Sequence, residues 1–415
     1  MKELFLGIDW GSRTHAVCLV DAAGKRLYEG EVAHRGDDVL SFLEHLRGLC
    51  GGDLSRVAAA MEAPHGVMVE ALLERGVTTY AVNPKQLDRF RDRHSGAGAK
   101  DDDLDAFVLA TSLRTDLSLF REVAIPSTAL MQLKALSRAY EATTEQVLAL
   151  ANQIRELLLR YYPAMRELGA WHEEPWLWAL FDAAPTPEQA KQLYKLQLQR
   201  LLKEHRIRRH KPEEVLARLQ QTPLPVAAGV PDALATQIAL LLPILRTAHE
   251  QRRACDRGLK AFFAKLEKGE NSPEKVHHDA ALLLSLPGMG VHNGAVMLTE
   301  ADAALQHRDY QALRRLAGVA PVSKRTGGRA KRPLVQQRQA CNRRLREAIY
   351  HWARVASSCE PRSKQHYATL RAAGHSHGRA IRGVADRLLA VLMAMLRTGQ
   401  HYDDTKRQVL TTIAA

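Results

Sequence analysis

The chain of 415 residues lacks the features that mark disulfide-bonded, secreted or membrane-spanning proteins. Its five cysteines are scattered and form no C-x-x-C pair, which argues against a zinc site and against a disulfide framework. No apolar run approaches the roughly 18 residues of a membrane-spanning helix. The apolar run at the amino terminus is too short for a signal peptide. We therefore expect a cytoplasmic protein with no membrane partner.

Acidic residues are missing from a long segment near the carboxyl end of the chain. Residues 310–346 contain no Asp or Glu, although Arg and Lys recur throughout, and the whole chain carries a formal net charge of +13. Such clustering of positive charge is typical of a surface that binds the phosphate backbone of a nucleic acid. The predicted phosphate contacts in this segment are Lys324, Arg325, Arg329, Lys331, Arg332, Arg343 and Arg344.

The first third of the chain predicts an α/β domain. Short apolar runs bounded by turn residues are typical of strands, and apolar residues three and four apart are typical of helices. The last predicted helix opens on the acidic cluster of residues 101–105. In chain order, the predicted elements are strands at 4–8, 14–20 and 26–33, a helix at 39–46, a strand at 56–61, a helix at 67–73, a strand at 77–82, a loop rich in Gly and Arg, and a helix through residue 113.

Four acidic residues occupy distinctive places in this order. Asp9 ends the first strand and Glu62 ends the fourth. Asp102 and Asp105 are three residues apart and so share one face of the last helix. The order resembles the RNase H-like fold of Holliday-junction-resolvase-type nucleases, in which these side chains would converge at the edge of the sheet and hold two Mg²⁺ ions. The alternative for each is a strand-end or helix-cap residue, and the acids of the first helical turn could simply complement the helix dipole.

The middle of the chain predicts a helical arm. Apolar residues of a first seam alternate three and four apart for about four heptads, a pattern typical of a coiled coil. A second, weaker seam contains Pro243, which predicts a kink or a late start. Two long seams predict an antiparallel arm, or an arm that pairs with another subunit. The seams are Leu133, Leu136, Tyr140, Thr143, Val147, Leu150, Ile154, Leu157 and Tyr161, and then Leu234, Ile238, Leu241, Leu245, Ala248, Cys255, Leu259, Phe262 and Leu266.

The section between the seams, residues 168–231, predicts irregular structure. Its three tryptophans, Trp171, Trp176 and Trp178, are expected in the core rather than on a base-stacking surface. The basic residues 206–211 are expected either to contact phosphates or to form a solvated face.

Two features of the carboxyl-terminal third predict contacts with phosphate groups. The apolar-Pro-Gly-x-Gly pattern of residues 286–290 resembles a helix-hairpin-helix, which would offer the backbone around Gly288 and Gly290 to a phosphate, and the alternative is a plain turn. In the basic segment, the hydroxyl of Ser323 or Thr326 could attack a phosphodiester while guanidinium groups stabilise the developing charge. On spacing alone, a phosphate-contacting loop with no covalent role is the favoured interpretation.

Six motifs follow one another in a specific order along the chain. They are Gly7-Ile8-Asp9, Glu62, Lys100-x-Asp102-x-x-Asp105-Ala106, Leu286-Pro287-Gly288-Met289-Gly290, Gly318-Val319-Ala320-Pro321 with a hydroxyl and a glycine beyond, and Ala340-Cys341-Asn342-Arg343-Arg344-Leu345-Arg346. Together they resemble the DEDD-type insertion-sequence transposases of the IS110 family, also described as bridge-RNA-guided recombinases. The resemblance covers both ends and most of the chain, and the four carboxylates match without departure.

The resemblance implies both an architecture and a set of partners. The expected parts are an RNase H-like, resolvase-type domain at 1–125, a long coiled-coil helical arm with an irregular insertion at 126–272, a mainly helical transposase domain with the helix-hairpin-helix at 273–400, and a tail at 401–415. The protein would be prokaryotic and nucleoid-associated, and would assemble as a dimer or tetramer around donor DNA, target DNA and a structured non-coding guide RNA. The acidic site with its Mg²⁺ and a nucleophilic serine would form one composite active site, across subunits, that links the protein covalently to DNA.

The sequence departs from the family pattern at the nucleophile. The family's serine lies five residues after the proline and directly before a glycine, and here that position is Thr326. The extra methyl group of threonine crowds the attack and restricts the side-chain rotamer. Either Thr326 replaces the serine, which its position favours, or Ser323 does, or strand exchange is impaired.

The predicted function is therefore that of a DNA transposase or recombinase. One alternative is a magnesium-dependent junction-resolving nuclease, which would need the acidic residues but not the hydroxyl. The other is a nucleic-acid-binding protein that has lost catalysis and acts as a scaffold or regulator, an interpretation to which Thr326 gives weight.

Overall fold

A computed structural model describes residues 2–62, 66–82, 84–93, 101–123, 126–268, 274–324 and 334–403 of the chain. Contacts within the chain divide it into two compact units, unit 1 at Met1–Pro126 and unit 2 at Ser127–Ala415. Across the described ranges, no helix is both long enough and apolar enough to cross a lipid bilayer.

Unit 1 is an α/β domain, as predicted. Its elements are β1 (Leu4–Asp9), β2 (Thr14–Asp21), β3 (Arg26–Ala33), α1 (Gly36–Leu49), a 3₁₀ turn (Leu54–Arg56), β4 (Val57–Met61), α2 (Val67–Glu74), β5 (Thr78–Ala81), α3 (Pro84–Arg91), α4 (Asp102–Thr115), a second 3₁₀ turn (Leu117–Leu119) and β6 (Arg121–Val123). The strands form one sheet of order β3-β2-β1-β4-β5-β6, in which β4 pairs in parallel with β1 and β5 and the other pairs are antiparallel. The predicted element order is confirmed, but the sequence pattern missed β6 and placed a loop where α3 lies.

The side chains of the central strands alternate between two cores, one on each face of the sheet. Leu6 and Ile8 of β1 pack with the apolar faces of α1 and α2. Phe5 of the same strand packs with α3 and α4 on the opposite face. Every residue of β4 is buried, as expected for a strand covered on both sides. This alternation determines which face each strand-end residue belongs to.

The first part of unit 2 contains two long helices with several short ones between them. About half of the section predicted to be irregular is helical, because Pro175, Pro187 and Pro212 lie in first turns, where proline favours helix formation, and do not act as helix breakers. The tryptophans of this section are buried, which confirms their predicted place in the core. The helices are α5 (Thr128–Tyr161), α6 (Pro163–Arg166), α7 (Pro175–Ala183), α8 (Pro187–Ala190), α9 (Lys195–Glu204), α10 (Pro212–Leu219) and α11 (Val230–Lys268).

The long helices α5 and α11 pack along each other in opposite directions. Leu133, near the start of α5, shares a core with Leu259 near the end of α11. Ile154, near the end of α5, shares a second core with Ile238 near the start of α11. The predicted late start of the second helix is wrong, because α11 begins at Val230 and continues through an exposed Pro243. Burial of apolar residues on both sides of Pro243 offsets its lost hydrogen bond.

The second part of unit 2 is mainly helical, as predicted, with one small sheet. The predicted break at Glu360 is confirmed, since its carboxylate accepts hydrogen bonds from the first N–H groups of a new helix. The antiparallel strand pair was not predicted. The elements are α12 (Glu274–Ser285), α13 (Val291–Glu300), α14 (Asp302–Gln306), α15 (Tyr310–Leu316), β7 (Pro321–Lys324), β8 (Leu334–Gln337), α16 (Arg343–Cys359), α17 (Pro361–Ala372) and α18 (His377–Thr398).

Candidate active site and nucleic-acid interface

The sheet of unit 1 brings Asp9 and Glu62 to the same edge. Asp9 is the last residue of β1, and Glu62 directly follows β4. The two strands are parallel neighbours, with Ile8 opposite Met61, so the two acidic residues follow equivalent positions of adjacent strands. Continuing the alternation of each strand puts both on the sheet face that α4 covers.

Helix α4 crosses this face in close contact with Gly7. A Cβ atom at Gly7 would lie 1.9 Å from the carbonyl oxygen of Ala106 and 2.6 Å from the backbone nitrogen of Ala110. Only glycine therefore allows the helix backbone to approach β1 this closely. The position of the motif glycine before Asp9 thus has a packing explanation.

The direction of α4 brings its acidic first turn to the same edge. Near its carboxyl end, Arg114 donates a hydrogen bond of 3.3 Å to the carbonyl oxygen of Ala22, just beyond β2. That end of β2 pairs with the start of β1. The amino-terminal turn of α4, with Asp102 and Asp105, therefore lies toward the end of β1 that carries Asp9. All four predicted acidic residues are at one end of the sheet.

Asp105 is buried and already has a cationic partner. Its side chain is 2% exposed, and its two oxygens accept hydrogen bonds of 2.5 and 2.6 Å from Nε and Nη2 of Arg91 on α3. The same guanidinium contacts Asp88 at 3.0 Å. The hydrogen bond to Asp105 raises the pKa of Arg91. The sequence analysis did not identify Arg91. A buried aspartate requires a cationic partner, but the sequence does not show which cation of the chain that partner is.

The other acidic residues of the site are more accessible. Asp9 is half-buried, whereas Glu62 and Asp102 are exposed. Asp101 precedes the helix and accepts a hydrogen bond of 3.3 Å from the backbone N–H of Asp103, so the cap of α4 is Asp101 and not Asp102 or Asp105. Within the ranges that the structure describes, no three His, Cys, Asp or Glu side chains lie close enough together to hold a metal ion.

The donor set nevertheless has the chemistry of a site for a hard divalent cation. Carboxylate oxygens are the ligands that Mg²⁺ prefers, and Asp9, Glu62 and Asp102 share one sheet edge. Asp105 fits a metal only if Arg91 releases at least one of its oxygens. The residue types therefore suit a divalent metal, but the described side chains would have to move closer together to hold one, and Asp105 would have to exchange its ion pair with Arg91.

Of the two predicted nucleophiles, Ser323 belongs to β7. Ser323 and Lys324 are the last two residues of this strand, opposite Val335 and Leu334 of β8. Thr326 follows them in the chain and lies outside the described residues, as do the predicted phosphate contacts Arg325, Arg329, Lys331 and Arg332.

The glycines of the predicted helix-hairpin-helix have different surroundings. Gly288 has a φ of +74°, and a Cβ atom there would lie 2.9 Å from the backbone nitrogen of Ala356 on α16. Trp352 of α16 donates a hydrogen bond of 3.0 Å to the carbonyl oxygen of Pro287. Packing alone therefore accounts for Gly288. Gly290 precedes α13 and has open space where a Cβ would be, so a phosphate contact there stays a prediction.

The two adjacent arginines of the last motif also differ. Arg344 contacts Glu141 of α5 and Glu300 of α13, each at 2.5 Å, and its side chain is only 19% exposed. This ion-pair network accounts for Arg344 without nucleic acid. Arg343 is exposed and pairs with Glu347 one turn later, at 3.0 Å.

Comparisons with known proteins agree on one family. A family model named for DEDD transposases of IS110 and described as transposase matches residues 6–163, and the model described as transposase, IS116/IS110/IS902 family, matches residues 280–368. The chain is 33% identical, over 97% of its length and 96% of the relative's, to the protein assigned as the mini-circle transposase for IS117 of Streptomyces coelicolor. An uncharacterized 43.6 kDa protein of insertion element IS110 from the same species is 24% identical over 96% of this chain and 95% of its own. A protein of Sinorhizobium fredii assigned as transposase y4uE is 41% identical over 50% of this chain, and the match spans 58% of that protein.

Proposed function

The chain belongs to the IS116/IS110/IS902 family of transposases, and from this premise we propose that it cuts and rejoins DNA strands with a carboxylate site that binds a divalent metal. The observation that carries the proposal is the common position of Asp9, Glu62, Asp102 and Asp105 at one edge of the unit 1 sheet, which depends on the contact of α4 with Gly7. Four carboxylates from three elements, one at the end of β1, one directly after β4 and two in α4, are more than helix caps and strand ends require.

In this proposal the metal is Mg²⁺, held by Asp9, Glu62 and Asp102 and by whichever oxygen of Asp105 is released from Arg91. When bound, Mg²⁺ would stabilise the charge that develops on phosphate oxygens. The chain's own contribution is orientation: β1 and β4 hold two carboxylates in register, and α4 carries the others on a rigid helix. Arg91, once released from Asp105, would be a cation near the reacting phosphate.

The proposed nucleophile is the hydroxyl of Thr326, with Ser323 as the alternative. Its oxygen would form a bond to the phosphorus atom while the bond from phosphorus to a deoxyribose oxygen breaks, and the proton of the hydroxyl would pass, through a general base, to the oxygen that leaves. The product would be a covalent protein–DNA linkage. This linkage conserves the energy of the broken bond, so that the DNA can be joined to a second strand. The support is the position of Thr326 five residues after Pro321 and directly before glycine, in a segment free of acidic residues.

The proposed partners follow from the same family resemblance. They are donor DNA, target DNA, a structured non-coding guide RNA and further copies of the chain. The basic segment at residues 310–346 and the net charge of +13 support polyanionic partners in general. They do not discriminate between DNA and RNA.

The test is a trap for the covalent intermediate. The full-length protein is incubated with RNA transcribed from the segment that flanks its gene, labelled donor DNA and Mg²⁺, then denatured in detergent and separated on a gel. We expect a shifted protein–DNA band that disappears in Thr326→Ala and Asp102→Ala and persists in Thr326→Ser. The matched control is Asp103→Ala, an exposed acidic residue of the same helix turn that is not a predicted ligand.

The other outcomes identify either a different nucleophile or a different function. Loss of the band in Ser323→Ala alone would assign the nucleophile to that residue. Metal-dependent nicking that persists in both hydroxyl variants, without a covalent band, would identify a junction-resolving nuclease. Binding of DNA without cleavage under any divalent metal would identify a protein that has lost catalysis.

A further inference from the structure

Unit 2 contains a cleft whose chemistry the proposed function does not yet use. It lies between α16 and α18 and is closed at one end by β8 and by the turn that follows α15. We call it the α16–α18 cleft and define it by Val319, Gln337, Arg346, Tyr350, Ile381 and Arg382. It encloses about 220 Å³. This is below the ~300–1,000 Å³ typical of sites for drug-sized ligands, so it suits one small ring system.

The two arginines of the cleft have no acidic partner among the described residues. The hydrogen bond that Arg382 makes is a long one of 3.4 Å to the side-chain oxygen of Gln337, and Arg346 contacts the sulfur of Cys341 at 3.9 Å. Neither forms an ion pair in the part of unit 2 that the structure describes, whereas Arg314, Arg343 and Arg344 nearby all do. Burial, followed by repulsion from Arg379, lowers the pKa of Arg382. Two half-buried cations without counter-ions form a site for an anion.

The rest of the cleft wall is suited to a flat apolar group. Val319, Ile381 and Ala385 supply apolar surface, and the ring of Tyr350 lies among them. The Tyr350 hydroxyl is held 3.2 Å from Nε2 of His377, whose Nδ1 is 2.8 Å from the hydroxyl of Tyr367. This arrangement fixes the aromatic ring, as a stacking surface requires.

One acidic residue, Glu347, also lines the cleft, and its charge opposes an anion. Its carboxylate, however, accepts a hydrogen bond of 3.0 Å from Nε of Arg343, which offsets that charge. The acid-free sequence from residue 310 to 346 supplies no other counter-ion from the adjoining chain. The balance within the cleft is therefore positive.

We propose that the α16–α18 cleft binds a single unstacked nucleotide of a nucleic-acid strand, with a phosphate on Arg346 and Arg382 and the base against Tyr350 and the apolar wall. Guanidinium groups bind phosphate through paired N–H donors, and an aromatic ring stacks on any base, so the site needs no particular sequence. DNA and RNA offer the same two groups. The proposal rests on the proposed function only in that the partner is a nucleic acid.

The first test measures the phosphate contact. Binding of labelled single-stranded DNA, duplex DNA and RNA of one sequence to the full chain is followed by fluorescence anisotropy over a range of salt concentrations. We expect Arg346→Gln and Arg382→Gln each to weaken binding of one of these probes about tenfold and to reduce its salt slope by about one. The double variant should lose less than the product of the single losses, because both arginines contact one phosphate.

The control is Arg354→Gln, which removes the same charge from an exposed position of α16 outside the cleft. If it weakens binding as much as the cleft variants do, only the net charge matters and the proposal is wrong. The probe that responds identifies the strand as DNA or RNA. Melting temperatures of all variants verify that the fold is retained.

The second test measures the base contact. Oligonucleotides in which every position is abasic are compared with intact ones of the same length, first on the wild-type chain and then on Tyr350→Leu and Tyr350→Phe. We expect the wild type and the Phe variant to prefer the intact strand on the order of tenfold, and the Leu variant to lose that preference. If the wild type binds both strands equally, the base does not enter the cleft. A positive result here together with no covalent band in the trap would retain the cleft and reject the proposed recombinase reaction.

Discussion

The acidic sheet edge of unit 1 and the α16–α18 cleft of unit 2 treat buried charge in opposite ways. In unit 1, Asp105 is 2% exposed and both its oxygens are bound by Arg91. In unit 2, Arg346 and Arg382 share a cleft without an ion pair among the described residues. A buried charge with a partner stabilises the fold until that partner is displaced, whereas one without a partner favours binding of an opposite charge. The two sites therefore differ mainly in whether the charge has a partner of opposite sign, and less in the sign of the charge or in how deeply it is buried.

The largest expected effect comes from separating α4 from β1. We expect Gly7→Ala to lower the free energy of unfolding by more than ~3 kcal/mol, because the new Cβ would overlap the backbone of α4. Chemical denaturation of the full chain measures the change. The matched control is Gly48→Ala in α1, where a Cβ meets nothing within 4 Å. Equal stability of the two variants would show that the position of α4 does not depend on its contact with Gly7. The argument that this contact brings the four acidic residues to one edge of the sheet would then fail.

The next largest effect is expected from removing the counter-ion of Asp105. Arg91→Gln leaves Asp105 buried without a counter-ion, and we expect the free energy of unfolding to fall by about 3 kcal/mol without added metal. Because the carboxylate is then available, Mn²⁺ should raise the melting temperature of this variant more than that of the wild type.

The control for this experiment is Arg89→Gln, an exposed arginine on the same helix. Its melting temperature should respond to Mn²⁺ as the wild type does. If Arg91→Gln also gains nothing beyond the wild-type response, Asp105 is an anchor for α3 rather than a metal ligand. The carboxylate site would then be reduced to Asp9, Glu62 and Asp102.

The Arg91 pair also shows what the sequence could and could not predict. Strand ends at Asp9 and Glu62, and the shared face of Asp102 and Asp105, follow from local periodicity and were predicted. The partner of Asp105 comes from another helix, α3, which had been predicted as a loop, and no local pattern determines such a pairing. The predicted metal site and hydroxyl nucleophile remain predictions.

In unit 2 as well, local patterns predict the helices but not the ion pairs between residues far apart in the chain. The two long helices and the buried tryptophans follow from spacing and composition. Arg344 and Arg346 look alike in a basic segment, but only the folded chain brings Glu141 and Glu300 to the first of them. The distinction between a structural and a ligand-binding arginine depends on residues 44 and 203 positions away, so the segment's charge alone could not reveal it.

The next prediction concerns the different effects of replacing Arg344 and Arg346. We expect Arg344→Gln to lower the free energy of unfolding by about 3 kcal/mol and to leave the salt slope of nucleic-acid binding unchanged, because its charge is already neutralised. Arg346→Gln should change stability by less than ~0.5 kcal/mol and lower the salt slope by about one. Urea denaturation and anisotropy on both variants measure the two quantities. Similar behaviour in both assays would mean that ion pairing does not distinguish the sites.

The smallest effect is the acid sensitivity of the network around Arg344. Burial acts to raise the pKa of Glu300, but the Asn342 hydrogen bond and the nearby cations Lys134, Arg344 and Arg138 together lower it below its usual 4.5. A depressed carboxyl pKa contributes stability that is present above the unfolded-state value and is lost as the pH falls through the folded-state value. The wild type should therefore lose stability on acidification from pH 5 to pH 3, and Arg344→Gln should lose less of it, by on the order of 1 kcal/mol. Parallel losses in the two proteins would mean that Arg344 does not set the ionisation of Glu300, and its burial would then have to be explained by packing of its aliphatic stem.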